Sequence, residues 1–205
     1  MKEFLIIACS AALSSSSTAQ MNIGVKGGFG INSLTHMSGS DKAFFGVQIS
    51  AFSKIPIGNS FFLQPSLGYY PKGKRRLDVT LYDDLGNPVG SVDVTSRTDF
   101  AELAAPLQFP LHNGNIQWLA GLGPFFSYAF GGRNVYKNVS GWSSELKNDK
   151  IVFGKYGKDR GDVGATFLFS AIYRTKWVAS LNYDQGLIHY EKTVSVGLSI
   201  GYFFK

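Results

Sequence analysis

FFLQPSLGYYPKGKRR, residues 61–76, is the stretch that decides the fold. Phe61, Leu63, Pro65, Leu67 and Tyr69 alternate with Phe62, Gln64, Ser66, Gly68 and Tyr70, and the chain then turns basic at Lys72, Lys74, Arg75 and Arg76. A period of two marks a β-strand, whose successive side chains point to opposite faces. The question is which solvent the apolar face meets, a protein core or lipid.

The same alternation recurs along the chain. Residues 22–32 place Ile23, Val25, Phe29 and Ile31 on one face, and residues 45–52 place Phe45, Val47, Ile49 and Ala51. Residues 100–111 give Ala101, Leu103, Ala105, Leu107 and Phe109; residues 117–130 give Trp118, Ala120, Leu122, Pro124, Phe126, Tyr128 and Phe130. Residues 163–173, 177–184 and 193–204 repeat the pattern around Phe167, Leu181 and Leu198. With the opening stretch, this predicts eight strands. The connections 54–59, 112–115 and 174–176 are short, and Asn113-Gly114 is a hairpin signal. The connections 34–43, 74–97, 132–162 and 185–192 are longer. One end of the sheet therefore carries tight turns and the other long loops. Asp78 to Ser96 alternates again around Gly86-Asn87-Pro88, which predicts a hairpin extending the third and fourth strands beyond a rim.

The apolar faces carry no charge. Opposite them stand mostly small, uncharged polar groups and glycines, with isolated Lys26, Glu102 and Asp184. A soluble sandwich would turn its apolar face inward and its charges outward; this pattern suits the narrow lumen of a small barrel. The expected lumen network is Lys26, Gln48, Gln64, Glu102, Gln108, Asn182 and Asp184, with Lys26 reaching Glu102 or Asp184, because an unpaired buried charge is costly. Tyr69, Trp118, Phe130, Tyr173, Trp177, Tyr183 and Tyr202 fall mainly near segment ends, where amphipathic rings favour a membrane–water boundary. Lys72, Lys74, Arg75 and Arg76 then mark where lipid ends. Pro65 and Pro124 each remove a ladder donor, so local bulges are expected there.

Composition agrees. Charged residues are 17% of the 205, low against the roughly 25% of soluble domains. Mean hydropathy near zero excludes a bundle of membrane helices. The net charge of +6 comes from Lys and Arg scattered over turns and loops, so no nucleic-acid partner is expected. MKEFLIIACSAALSSSSTAQ has a positive start, an apolar run from Phe4 to Leu13 and small residues at Thr18-Ala19, which predicts a signal peptide over 1–19. Cys9, the one cysteine, sits in a lipobox-like Ile6-Ile7-Ala8-Cys9 and leaves with that peptide, so no disulfide is expected in residues 20–205.

The expected fold is all-β: an eight-stranded antiparallel transmembrane β-barrel of OmpA/OmpX-like size over residues 20–205. An even strand number puts both termini at the short-turn end, which is periplasmic in bacterial barrels.

Five motifs resemble those of the outer-membrane β-barrel proteins of the Bacteroidetes called PorT-like. FFLQPSLGYYPKG (61–73), FAELAAPLQF (100–109), GLGPFFSY (121–128), LNYDQGL (181–187) and the closing VGLSIGYFF (196–204) follow the family's strand motifs in order. The chain departs from them at Ser66, at Ala104-Ala105-Pro106 and at its final Phe204-Lys205. The resemblance implies an outer-membrane location and assigns no activity.

Chemistry is sparse. His36, His112 and His189 fall in different connections, with no paired spacing for a metal. His189 with Ser195 or Ser143 is the one arrangement that would suit a lipid-modifying barrel enzyme, and a solvated loop histidine is the plainer reading. Gly27-Gly28-Phe29-Gly30 lies in a strand and is no phosphate loop, and Asn138-Val139-Ser140 is a sequon. No cofactor or metal is expected. The expected partners are outer-membrane lipid or lipopolysaccharide and an unidentified envelope protein. The expected role is a non-enzymatic envelope component, structural or binding through its loops, with a small-molecule channel and a lipid A-modifying enzyme as alternatives.

Overall fold

The computed structural model describes residues 21–34, 41–58, 60–137, 148–152, 160–187 and 193–204. The expected signal peptide, Cys9, His36, the sequon, Ser143 and His189 lie outside them. The described residues form β-strands alone: β1 Asn22–Leu34, β2 Asp41–Ile57, β3 Phe61–Leu63, β4 Ser66–Tyr82, β5 Pro88–Ala104, β6 Leu107–His112, β7 Ile116–Lys137, β8 Asp149–Lys150, β9 Gly161–Tyr173, β10 Trp177–Gly186 and β11 Thr193–Phe204.

Eight traverses account for these strands apart from the two-residue β8, which pairs with the end of β7. β3 and β4 are one traverse broken at Gln64-Pro65, and β5 and β6 are one broken at Ala105-Pro106. Proline has no N–H for the ladder, and the neighbours bridge each gap. Ser53 donates to the Pro65 carbonyl at 2.9 Å, Gln64 to the Pro106 carbonyl at 2.9 Å and Ala105 to the Pro124 carbonyl at 3.0 Å. The sequence pattern ran through Pro106 unbroken. Pro124, by contrast, stays in β7 opposite Ala165.

Every neighbouring pair is antiparallel, and the ladder closes on itself. β1 pairs with β2 on one edge and with β11 on the other, and the chain of pairings β2–β4–β5–β7–β9–β10–β11 joins them. Closure leaves no exposed strand edge in that ring, the condition for a sheet in lipid. β1 and β11 approach so closely that a Cβ at Gly28 would run into the Leu198 carbonyl oxygen.

The alternation sorts side chains as expected of a barrel in lipid. Phe29, Val47, Ile49, Leu67, Leu103, Leu122, Phe130, Phe167, Leu198 and Ile200 are exposed on the outer wall. Such a continuous apolar belt is far larger than a soluble monomer exposes. Aromatic pairs lace it, among them Phe29–Phe45, Trp118–Phe169 and Trp177–Tyr202, with ring centroids 5.3, 5.4 and 5.1 Å apart.

The two ends differ. At the short-turn end Arg174 and Thr175 both take positive φ, 50° and 56°. That is the two-residue hairpin geometry usually given to Asn and Gly. At the other end β4 and β5 continue past the rim as a hairpin, closed by Asp83–Asn87 with Gly86 at φ 84°. β7 also runs on to Lys137, seven residues beyond the predicted end, and pairs there with β5 and β8.

Candidate functional site

The lumen is where the polar half of the alternation converges. It also holds large apolar groups that the sequence reading placed nowhere. Near the short turns Phe52, Leu119, Ile172, Val178 and Phe203 pack into one cluster with Phe62 against it. Leu119 is 0% exposed and Val178 2%. Phe52 and Phe203 meet edge to face at 4.8 Å. Lys54 closes the cluster from the end, its ammonium 3.9 Å from the Phe62 ring centroid and donating to Gln117 Oε1 at 2.6 Å. The small polar lining expected of the lumen is present, with Ser50, Ser127, Thr166, Ser170, Ser180 and Ser199 all buried, but the sequence reading did not foresee this apolar layer. Short strands of a small barrel leave a bore that side chains must fill, and aromatics fill it.

Deeper in, the ion pair is made by Lys72 and Glu102. Nζ lies 2.8 Å from Oε2, and both side chains are 3% exposed. Lys72 also stands over the Phe125 and Phe100 rings at 4.7 and 5.4 Å. Lys72 therefore does not mark the edge of lipid with Lys74, Arg75 and Arg76. The parity that turns Leu67 and Tyr69 outward turns Tyr70 and Lys72 inward. That signal was present in the sequence but masked by the basic run that follows.

Lys26 is buried, with its ammonium 5.7 Å from the Phe52 ring centroid. It feels the charges of Asp184 and Glu102 at a distance. Among the described residues, however, the carboxylate within ion-pairing reach of a lumen lysine is the one taken by Lys72. The expected Lys26 pair is replaced because Lys72, which stands opposite Thr98 in the β4–β5 register, reaches back along the lumen to Glu102, which stands opposite Gly68.

Asp184 is held by neutral donors instead. Thr166 Oγ1 donates to Oδ1 at 2.5 Å and Asn182 Nδ2 to Oδ2 at 2.6 Å. Gln48 Nε2 donates to Asn182 Oδ1 at 3.5 Å, which ties β2 to β10 across the bore. Gln108 joins a separate layer: Nε2 donates to Ser170 Oγ at 3.4 Å, and Ser170 and Ser180 hydroxyls are 3.1 Å apart. The Gln64 side chain is buried with neither polar atom bonded to protein, and Gln108 Oε1, Ser127 Oγ, Asp162 Oδ1 and Ser199 Oγ share that state. Asp162, also absent from the expected network, accepts from Thr193 Oγ1 at 2.7 Å. The seven expected lumen residues are thus all buried, yet they divide among separate clusters.

His189 and Ser143 of the expected His–Ser arrangement lie outside the described residues. Ser195 is buried in the lumen, and His112 is exposed at the short-turn end. Among the described residues no group of three His, Cys, Asp or Glu is placed to hold a metal ion.

Several solved structures are similar at low identity. One is Ail, the attachment invasion locus protein of Yersinia pestis, in complex with the heparin analogue sucrose octasulfate. It is 10% identical, with a TM-score of 0.46, covering 90% of this chain and 99% of that one. Another is Neisserial surface protein A, 12% identical, TM-score 0.45, covering 90% and 96%. A third is a major outer membrane protein from Thermus thermophilus, 11% identical, TM-score 0.49, covering 90% and 100%. No curated protein matches the sequence. The profile of the family described as "Outer membrane protein beta-barrel domain" matches residues 13–191. With that match over most of its length and an antiparallel ring of strands facing apolar side chains outward, the chain belongs to the outer membrane protein β-barrel domain family of the bacterial outer membrane.

Proposed function

We propose that the protein is a non-enzymatic envelope component that works through its long-loop end, as a structural or binding element, and not through its lumen. The observation that carries this reading is the apolar plug of Phe52, Leu119, Ile172, Val178 and Phe203 across the bore. A side-chain-filled bore leaves no water path, so conduction would need the plug to unpack. The five strand motifs support membership of the PorT-like group of the Bacteroidetes, with residues 1–19 removed as a signal peptide and both termini in the periplasm. The long-loop end, including the hairpin around Asp83, then faces outside and is free to meet envelope lipid or a protein partner.

Planar bilayer recording of the refolded barrel tests the reading. The expected result is no steady conductance. Ohmic steps of uniform size would make it a channel. Proteolysis of intact cells tests the orientation: the hairpin should be cut before the outer membrane is breached, and cutting only afterwards would reverse it.

A further inference from the structure

Beyond the apolar belt, the outer wall at the long-loop end turns basic. One row of paired residues across β4, β5, β7 and β8 reads Gly73, Arg97, Arg133 and Lys150. The next row, across β2, β4, β5 and β7, reads Lys42, Arg75, Thr95 and Val135. Paired residues share a face, and β4 keeps register with β5 from Ser66 to Arg76. Arg75 and the Arg97 row therefore point to the same side as Leu67 and Tyr69, outward toward lipid.

Directly below lies an aromatic rim, with the Tyr69 and Phe130 rings 6.1 Å apart. Arg97 joins the two zones. It bonds to the Tyr69 hydroxyl and, at 2.8 Å, to Asp99. That uses Asp99, while Asp93 lies 3.6 Å from Arg75 Nη2. Lys42, Arg75, Arg133 and Lys150 are exposed, so among the described residues basic groups exceed acidic ones on this face. By register they share the outward face of the belt, two and three same-face rows beyond Tyr69. Arginine forks match phosphate oxygens, and the apolar wall beneath matches acyl chains.

We propose that this patch, centred on Arg75, Arg133 and Lys150, binds the phosphate groups of an outer-leaflet glycolipid whose acyl chains lie against Leu67, Leu103, Phe126 and Phe130. The site deepens the binding role proposed above and rests on its orientation. It would anchor the extended hairpin and β7 in the headgroup layer.

Native mass spectrometry of the full-length barrel in detergent, titrated with bisphosphorylated lipid A, tests this. The protein should retain lipid A, and dephosphorylated lipid A should bind about tenfold more weakly or worse, because the charge-assisted contacts are lost. The variant R75Q/R133Q/K150Q should lose retention to the same degree. The variant R174Q/K176Q, at the opposite rim, should retain it, and heat-modifiable gel mobility confirms that both fold. Equal retention by R75Q/R133Q/K150Q would overturn the site. Equal competition by phosphatidylglycerol would overturn the glycolipid assignment, as would capture of soluble heparin without lipid A. Conductance or reversed proteolysis would overturn the reading above while leaving lipid retention in detergent unchanged, so the two failures are distinguishable.

Discussion

At the scale of single residues, the lumen pair Lys72–Glu102 and the outer-wall Leu67 make opposite demands. Two charges brought out of water repay their desolvation only together. Lys72→Met should therefore leave Glu102 buried and alone, and cost about 3–5 kcal/mol in a urea-unfolding titration in lipid vesicles. The double variant Lys72→Met/Glu102→Leu should recover most of that loss, since a well-packed apolar pair replaces the ions. Additive losses would mean the two side chains do not act as a pair. Leu67, 60% exposed on the outer wall, faces the reverse test. Leu67→Arg should destabilise the barrel by ~2–4 kcal/mol if it lies near the bilayer midplane. The same titration reads it, and an unchanged midpoint would place that face outside lipid. The direction of Leu67 was legible from alternation alone. The partner of Glu102 was not, because Lys72 stands opposite Thr98 in the β4–β5 ladder and reaches Glu102, opposite Gly68, only through the course of its long side chain in the lumen.

Elements were legible where the period of two ran long and illegible where backbone chemistry interrupted it. Each of the eight traverses appears in the pattern, as does the extended hairpin. The break at Ala105-Pro106 was missed because the apolar alternation Leu103, Ala105, Leu107 continues through it. The outward run of β7 was missed because Gly131-Gly132 ends the apolar repeat while the strand continues paired to β5. The Arg174-Thr175 turn was read from its length alone, since neither residue advertises positive φ.

The hairpin tip has its own signature. Asp83 Oδ1 accepts from the Asn87 amide at 2.7 Å and the Leu85 amide at 3.0 Å. These donors, the Asn87 amide foremost, hold the Asp83 carboxyl below its ordinary range. A depressed carboxylate supports the turn above its unfolded pKa and loses that support as pH falls through the folded value. The Asn87 and Leu85 amide resonances should therefore stay fixed at neutral and mildly acidic pH and move only below the usual carboxylate range. Movement at or above that range would contradict the capped turn.

At the scale of the whole molecule, one inversion explains the rest. Apolar side chains face out, polar and aromatic ones fill the bore, and the strand ring closes so that no edge meets lipid. The sequence revealed this inversion through what its polar face lacks, namely the charges a water-facing surface would carry. It did not reveal which large groups fill the bore, because Phe52, Phe125 and Phe203 sit on the polar parity and read there as exceptions. The most direct test is spin-label accessibility in lipid vesicles, with single cysteines replacing Val47, Leu67 and Leu198 on the outer wall. A lipid-facing outer wall predicts labels that collide with dissolved oxygen and are shielded from a water-soluble nickel chelate. Nickel access at all three positions would contradict it, because that wall would then face water.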